Sequence, residues 1–272
     1  MGLREVRSET LELGDQPVFF QRAGDDDVPA LYVHGVPTSS DDFVPFLRRG
    51  GGLAPDLPGF GRSGKRGDGN FTMEGYADFL DRFLDAVGVD KVRLCVHDWG
   101  AVGLVWAMRN PARVTRLVVM NAVPLLPGYR WHRMARMWRT PGVGEFAIGL
   151  ASARPIMKLA LTEATPKRGS LPKAFRDEIA AHFDQGTQRA ILRLYRSSPP
   201  EALASAGSAL GTIRAPALVL WGEDDPYIPA RFGSGYAAAL GDGRLELVEG
   251  AGHWPWLDRP ELVERVCAHL DG

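Results

Sequence analysis

The 272-residue sequence predicts an α/β protein: a mostly parallel, doubly wound sheet that carries an inserted α-helical segment. Three observations carry that expectation. Short, continuous apolar runs rich in β-branched residues alternate along the chain with amphipathic helix patterns. One such run, Val92 to Val96, passes through a sharp turn straight into a helix pattern. Between residues 124 and 210 the strand-like runs stop, and Trp, Phe, Arg, Lys, Pro and Gly take over. With 45% hydrophobic residues the chain can bury one large core.

Taken in order, Glu9 to Leu13 and Pro17 to Arg22 alternate around the turn signal Gly14-Asp15 and read as an antiparallel edge hairpin. Ala30 to Val33 is apolar throughout, as expected of a strand covered on both faces, and it ends in His34-Gly35-Val36-Pro37. A second such strand ends at Ala54-Pro55-Asp56, before the Gly-rich turn Leu57 to Ser63. Tyr76, Phe79, Leu80, Phe83, Leu84 and Val87 recur at three- and four-residue spacing with Asp78, Asp81 and Asp85 between them, an amphipathic helix that Gly88 stops. The run Val92 to Val96 then feeds His97-Asp98-Trp99-Gly100 and a helix from Ala101 to Arg109, and Val114 to Met120 forms a further buried strand ending at Asn121.

The segment that follows interleaves Trp131, Met134, Trp138, Phe146, Met157, Phe175, Phe183 and Tyr195 with basic residues and breakers. It reads as helical, too short and interrupted for an enzyme of its own but suited to a lid. Ala217 to Trp221, a helix around Tyr236 to Leu240, Leu245 to Val248 and a helix from Pro260 to Leu270 complete the pattern, so residues 1–123 and 211–272 are expected to form the core and 124–210 a cap.

Composition narrows the function. Thirty-two Lys and Arg against 33 Asp and Glu, with no long like-charge block, argue against a nucleic-acid or anionic-membrane partner and for a small neutral organic substrate. Cys95 falls in a buried strand and Cys267 in the last helix, which makes both packing residues and leaves no disulfide framework or metal spacing. The stretch Met1 to Val6 lacks a charged segment followed by an apolar one, and no apolar run approaches the ~18 residues that span a bilayer. A cytoplasmic, soluble monomer or homodimer is expected.

In open α/β sheets functional groups gather beyond the carboxyl ends of the strands. Those positions hold His34, Asp56, Asp98, Asn121, Asp225 and His253. A carboxylate on a strand, sharp turn, helix unit, then an acid, then a histidine is the chain order of a nucleophile, acid and base. The acid lies in Gly222-Glu223-Asp224-Asp225-Pro226, where the residues alone do not choose between Asp224 and Asp225. The histidine sits in the Gly-flanked loop Gly250-Ala251-Gly252-His253-Trp254-Pro255.

With His97-Asp98-Trp99-Gly100 in the elbow position, the chain resembles the α/β-hydrolase superfamily over nearly its whole length, in particular its epoxide hydrolase and haloalkane dehalogenase branch. That resemblance implies Asp98 as a nucleophile that forms an alkyl ester and His253 as the base that activates water. It also implies Asp225, through Gly-x-x-Asp, as the acid orienting the histidine, and the backbone amides of Val36 and Trp99 as the oxyanion hole. The variant in which a Glu follows the preceding strand is closed here, because Asn121 stands there. The chemistry agrees: a carboxylate attacking an acyl group gives a reactive anhydride, whereas attack on an alkyl carbon gives an ordinary ester and splits a difficult displacement in two. No cofactor or metal is required.

The leaving group separates the branches. An epoxide oxygen needs a proton donor, and Tyr195 in Arg193-Leu194-Tyr195-Arg196 resembles one of the cap tyrosines of epoxide hydrolases, with Tyr129 as the possible second. A halide needs two N–H donors; Trp99 offers one, Val36 replaces the Asn that some dehalogenases use, and Trp131 and Trp138 remain as cap alternatives. His34 is a further candidate for substrate contact. Epoxide hydrolysis to a diol is the favoured reading, haloalkane dehalogenation the alternative. A non-catalytic ligand receptor on the same fold is the third, weakened by the complete Asp98, Asp225, His253 set.

Overall fold

The computed structural model describes residues 2–151, 161–166 and 171–272. Its centre is an eight-stranded sheet in the order β1-β2-β4-β3-β5-β6-β7-β8. The strands are β1 (Arg7–Glu12), β2 (Pro17–Ala23), β3 (Ala30–Val33), β4 (Gly52–Pro55), β5 (Val92–His97), β6 (Val114–Met120), β7 (Ala217–Gly222) and β8 (Gly243–Val248). The hairpin β1–β2 joins β4 antiparallel, and every pairing from β4 to β8 is parallel. The sequence-derived strands thus stand within one or two residues. β7 gains Gly222 and β8 begins two residues earlier than Leu245.

Alternate residues of the central strands face opposite layers, so both faces must be covered. Leu94, Val96, Leu117 and Val119 look into one apolar cluster, built with α2 (Met73–Ala86) and α3 (Val102–Arg109) through Tyr76, Leu80, Val105 and Trp106. Cys95, Val118, Met120 and Leu220 look into the other, built with α1 (Val44–Gly50) and the last helix, Leu262–Asp271, through Phe46, Leu47, Val266 and Leu270. That is the doubly wound arrangement. Thr72 caps α2 by accepting the Gly75 N–H, which starts the helix three residues before the first apolar position of the pattern. Both cysteines are buried and unpaired.

Between β6 and β7 the described residues form only helical elements: α4 (Arg133–Arg139), α5 (Val143–Ala151), α6 (Lys173–His182), α7 (Gln185–Ser197) and α8 (Pro200–Ala206), with short 3-10 turns. Met157 of the expected aromatic and methionine set lies outside the described residues. In α7 the apolar stripe Ile191, Leu192, Leu194 and Tyr195 is buried, while Arg193 reaches the Gly67 carbonyl at the surface. Among the described residues no helix is long and apolar enough to cross a membrane.

Candidate active site

The carboxyl end of β5 sets the geometry. Asp98 follows the strand at φ 49°, in the left-handed region a non-glycine residue rarely occupies, and a 3-10 turn (Asp98–Ala101) precedes α3. The helix therefore starts with a tighter first turn than the pattern from Ala101 predicts. Two glycines make room. A Cβ on Gly100 would lie 2.0 Å from the Val33 carbonyl, and one on Gly35 would lie 2.4 Å from the Asp98 side chain, so β3, its loop and the elbow close together only without side chains there.

Asp98 is 6% exposed. Its Oδ2 accepts the Val36 N–H at 2.8 Å. Burial pushes its carboxyl up, while His253 and the Val36 and Trp99 amides pull it back toward the ionised form. Its Oδ1 stands 3.8 Å from His253 Nε2, beyond hydrogen-bond range but close enough for one small atom group to bridge. On the far side of the ring, His253 Nδ1 donates to Asp225 Oδ2 at 2.9 Å. The ring thereby has its Nε2 lone pair directed toward Asp98 whenever the imidazole is neutral. Burial lowers the His253 pKa, but the charge and hydrogen bond of Asp225 together with Asp98 outweigh it, and the net shift is upward.

Asp225 is buried and Asp224 exposed, which resolves the ambiguity in the Glu223-Asp224-Asp225 run. The Asp225 carboxylate accepts the backbone N–H groups of Tyr227 and Ile228 on Oδ1, at 2.8 and 3.1 Å. On Oδ2 it accepts the Asn121 Nδ2–H at 2.7 Å beside the histidine. Asn121, itself at φ 36°, also accepts the Gly222 N–H at 3.0 Å and so ties the ends of β6 and β7 to the acid.

Over this constellation lies a cavity of about 80 Å3 lined by Asp98, His253, Val36, Trp131, Trp138 and Tyr195, among others. Tyr195 is packed at its ring by Trp99, Trp131 and Trp138, with centroids 5.1, 4.9 and 5.0 Å away. Burial, then the Asp98 charge, raises its pKa well above the usual phenol value, so the hydroxyl stays a neutral donor. The Trp99 indole N–H is buried with no partner in good hydrogen-bond geometry among the described residues. It lies close enough to the Tyr195 oxygen to favour that group's ionised form.

Three expectations change. His34 does not line the cavity: it is fully buried, its Nδ1 donates to the Gly35 carbonyl at 2.7 Å and its Nε2 accepts the Leu57 N–H at 2.9 Å, so it supports the loop instead of touching substrate. Trp131 lines the cavity with its ring, but its N–H is spent on the Ser198 carbonyl at 3.0 Å. Tyr129 also lines it, with its O–H directed at the Tyr227 carbonyl at 3.3 Å. Trp138 contributes its ring to the wall.

Sequence reasoning missed His132 and Tyr227, which line the same cavity with ring centroids 5.0 Å apart. Tyr227 lies two residues after Asp225, a proximity that the strand-end argument had within reach. His132 caps α4 through Nδ1, and burial lowers its pKa to about 4. Elsewhere Asp41, Glu178 and His182 come within 4.8 Å of one another, but Arg62 pairs with Asp41 at 2.8 Å and neutralises it, so no metal site is assigned there.

The comparisons with known proteins agree with this geometry. The family model described as alpha/beta hydrolase family matches residues 30–266. A haloalkane dehalogenase of Mesorhizobium japonicum is 36% identical over 145 residues, which span 48% of this chain and 46% of that protein. A cis-3-alkyl-4-alkyloxetan-2-one decarboxylase of Xanthomonas campestris pv. campestris is 30% identical over 80% of this chain and 79% of its own. The crystal structure of the haloalkane dehalogenase DbeA from Bradyrhizobium elkani USDA94 superposes with a TM-score of 0.83 at 26% identity, covering 98% of both chains. With an aspartate at the elbow, a histidine held by a second aspartate and a family match across most of its length, the chain belongs to the alpha/beta hydrolase family.

Proposed function

We propose that this hydrolase opens an epoxide through an Asp98 alkyl ester and releases the vicinal diol. Oδ2 of Asp98 is held by the Val36 amide, so Oδ1, the oxygen nearer His253 Nε2, attacks the ring carbon, and the C–O bond of the epoxide breaks. Tyr195 delivers its proton to the departing oxygen, with the Trp99 N–H as the second donor in place of a second tyrosine. Water then approaches between His253 Nε2 and the ester; His253 takes its proton, the oxygen attacks the Asp98 carbonyl carbon, and charge collects on Oδ2 against the Val36 and Trp99 amides. Asp225, satisfied by four donors, stabilises the imidazolium. Collapse breaks the Cγ–Oδ1 bond, the departing diol oxygen takes the proton of the new Asp98 carboxyl, and the imidazolium proton returns to the Tyr195 phenolate, which restores Asp98, His253 and Tyr195. In this reading residues 124–210 act as the cap that shields the site from bulk solvent and admits the hydrolytic water.

The observation that carries the reading is Tyr195 on the wall of the Asp98 cavity, within reach of the Asp98 charge and protonated, a proton source suited to an oxygen leaving group and unnecessary for a halide. Haloalkane dehalogenation is the second reading, favoured by the buried Trp99 N–H, which has no partner in good hydrogen-bond geometry among the described residues, and by the dehalogenases among the relatives. Incubation with terminal epoxides, matched bromoalkanes and a cis-3,4-dialkyl oxetan-2-one, with diol, bromide and carbon dioxide assayed separately, tests the choice. Diol from the epoxides is the expected result; bromide without diol assigns the second reading, and carbon dioxide from the lactone would overturn both.

A further inference from the structure

The peptide unit between Gly35 and Val36 is gripped at both ends. Its N–H meets Asp98 Oδ2 at 2.8 Å. Its carbonyl accepts from His34 Nδ1 at 2.7 Å and lies 3.3 Å from the Thr38 hydroxyl. That hydroxyl in turn stands 2.6 Å from Oδ2 of Asp42, a carboxyl on the 3-10 turn Ser40–Phe43 that is only 3% exposed.

A threonine hydroxyl has one hydrogen to give. Opposite an ionised Asp42, that hydrogen is drawn to the carboxylate, the nearer and stronger acceptor. Opposite a neutral Asp42, the carboxyl O–H donates to Thr38 Oγ1, and the threonine hydrogen is released to the Gly35 carbonyl. A carbonyl that accepts more strongly polarises its own peptide and strengthens the N–H at the other end.

We propose that Asp42 is a positioning residue for hydrolysis of the covalent intermediate: while neutral, it turns the Thr38 hydrogen onto the Gly35 carbonyl and so holds the Val36 N–H on the Asp98 oxygen that becomes the oxyanion. The inference rests on the reading of Asp98 as nucleophile. Ionisation of Asp42 acts against the step twice, by withdrawing the Thr38 hydrogen and by placing a like charge near the oxyanion.

The surroundings keep Asp42 neutral near pH 7. Burial, the largest influence, acts with the charges of Asp41 and Asp98 against the pull of Thr38 and His253, and together they push its carboxyl up to about 8. Glu178 and His182 of α6 share a small cavity wall with it, and Arg62, the cation on this side, is engaged by Asp41 and Asp56.

The test follows the adduct by intact-protein mass under single-turnover conditions, with a 1,2-epoxyalkane and the matching 1-bromoalkane, since either places an alkyl ester on Asp98. Formation and decay are timed from about pH 6 to about 9.5 in the wild type, Thr38→Val and Asp42→Asn, with melting temperatures alongside. The wild-type decay should rise as His253 loses its proton and then fall through a midpoint near 8. Asp42→Asn, whose amide donates to Thr38 at every pH, should keep the rising limb and lose the falling one. Thr38→Val should slow decay by about tenfold or more while formation stays within about twofold, because the oxyanion exists only in the second step. A falling limb that survives in Asp42→Asn, or a wild-type decay rate in folded Thr38→Val, overturns the assignment. No adduct in the wild type or in His253→Gln would instead overturn the nucleophile reading, and this inference with it.

Discussion

Replacing Tyr195 by Phe tests the choice of leaving group at one atom. The ring is retained, and with it the contacts to Trp99, Trp131 and Trp138 at centroid distances of 4.9 to 5.1 Å. Only the O–H leaves, and the Trp99 indole N–H is a donor close to its oxygen. Stability should therefore change by no more than about 1 kcal/mol, or roughly 2–4 °C in Tm for a chain of this size. On the proposed epoxide reading, the alkylation step loses its proton donor. A missing general acid costs ~10²–10⁴-fold, equivalent to about 2.7–5.4 kcal/mol of activation free energy. The phenol is raised by burial and by Asp98, so it is protonated across any usable pH, and the loss should be uniform from about pH 6 to about 9. Rapid mixing of excess enzyme with a terminal epoxide, quenched and read as Asp98 adduct by intact mass, isolates that step. Bromoalkane alkylation in the same variant should be nearly unaffected, and Trp99→Phe should slow both. An epoxide rate within about threefold of wild type, in an equally stable protein, would remove Tyr195 from the chemistry.

Three further outcomes follow from the same geometry. His253→Gln should still alkylate and then stall, gaining the mass of an intact epoxide, while Asp98→Ala should gain none; a His253→Gln enzyme that turns over normally would refute the assignment of the base. Asn121→Ala removes the donor to Asp225 and the acceptor of the Gly222 N–H, and should cost about 1–3 kcal/mol in denaturant unfolding and lower kcat more than it raises KM. His132 is lowered by burial from 6.5 to about 4, so the unfolded chain binds more protons between those values. The neutral ring's contribution is complete above about 6.5 and lost as pH falls toward 4, at most about 3 kcal/mol. His132→Asn keeps an oxygen to cap α4 and should flatten that part of the acid limb in pH-dependent melting. His34 and His97, also lowered by burial, preserve the rest.

The sequence by itself determined the sheet and the centre of the site. Buried parallel strands are continuous apolar runs, so β3, β5, β6 and β7 were legible from local composition, and the residue after β5 inherits its place from the strand that ends there. The edge strand β8, partly exposed along its length, reads two residues short because Gly243 and Arg244 carry no apolar strand signal. The tertiary structure decided what the neighbours of Asp98 do with their hydrogen bonds. Trp131 reads as a free donor until the Ser198 carbonyl, 67 residues away, is seen to occupy it. Tyr129 likewise reads as a proton source until Tyr227, 98 residues away, supplies its acceptor. His34 stands at a strand end like the other site residues, yet Leu57 and Gly35 turn it to the backbone. Asp42 stands beside Asp41 in the chain, and local sequence does not separate them; the packing of the 3-10 turn beneath Thr38 buries Asp42 and leaves Asp41 to Arg62. Periodicity within a strand or helix is a local property and survives in one dimension, whereas the partner of a polar group is chosen by whichever distant segment the fold brings within about 3 Å.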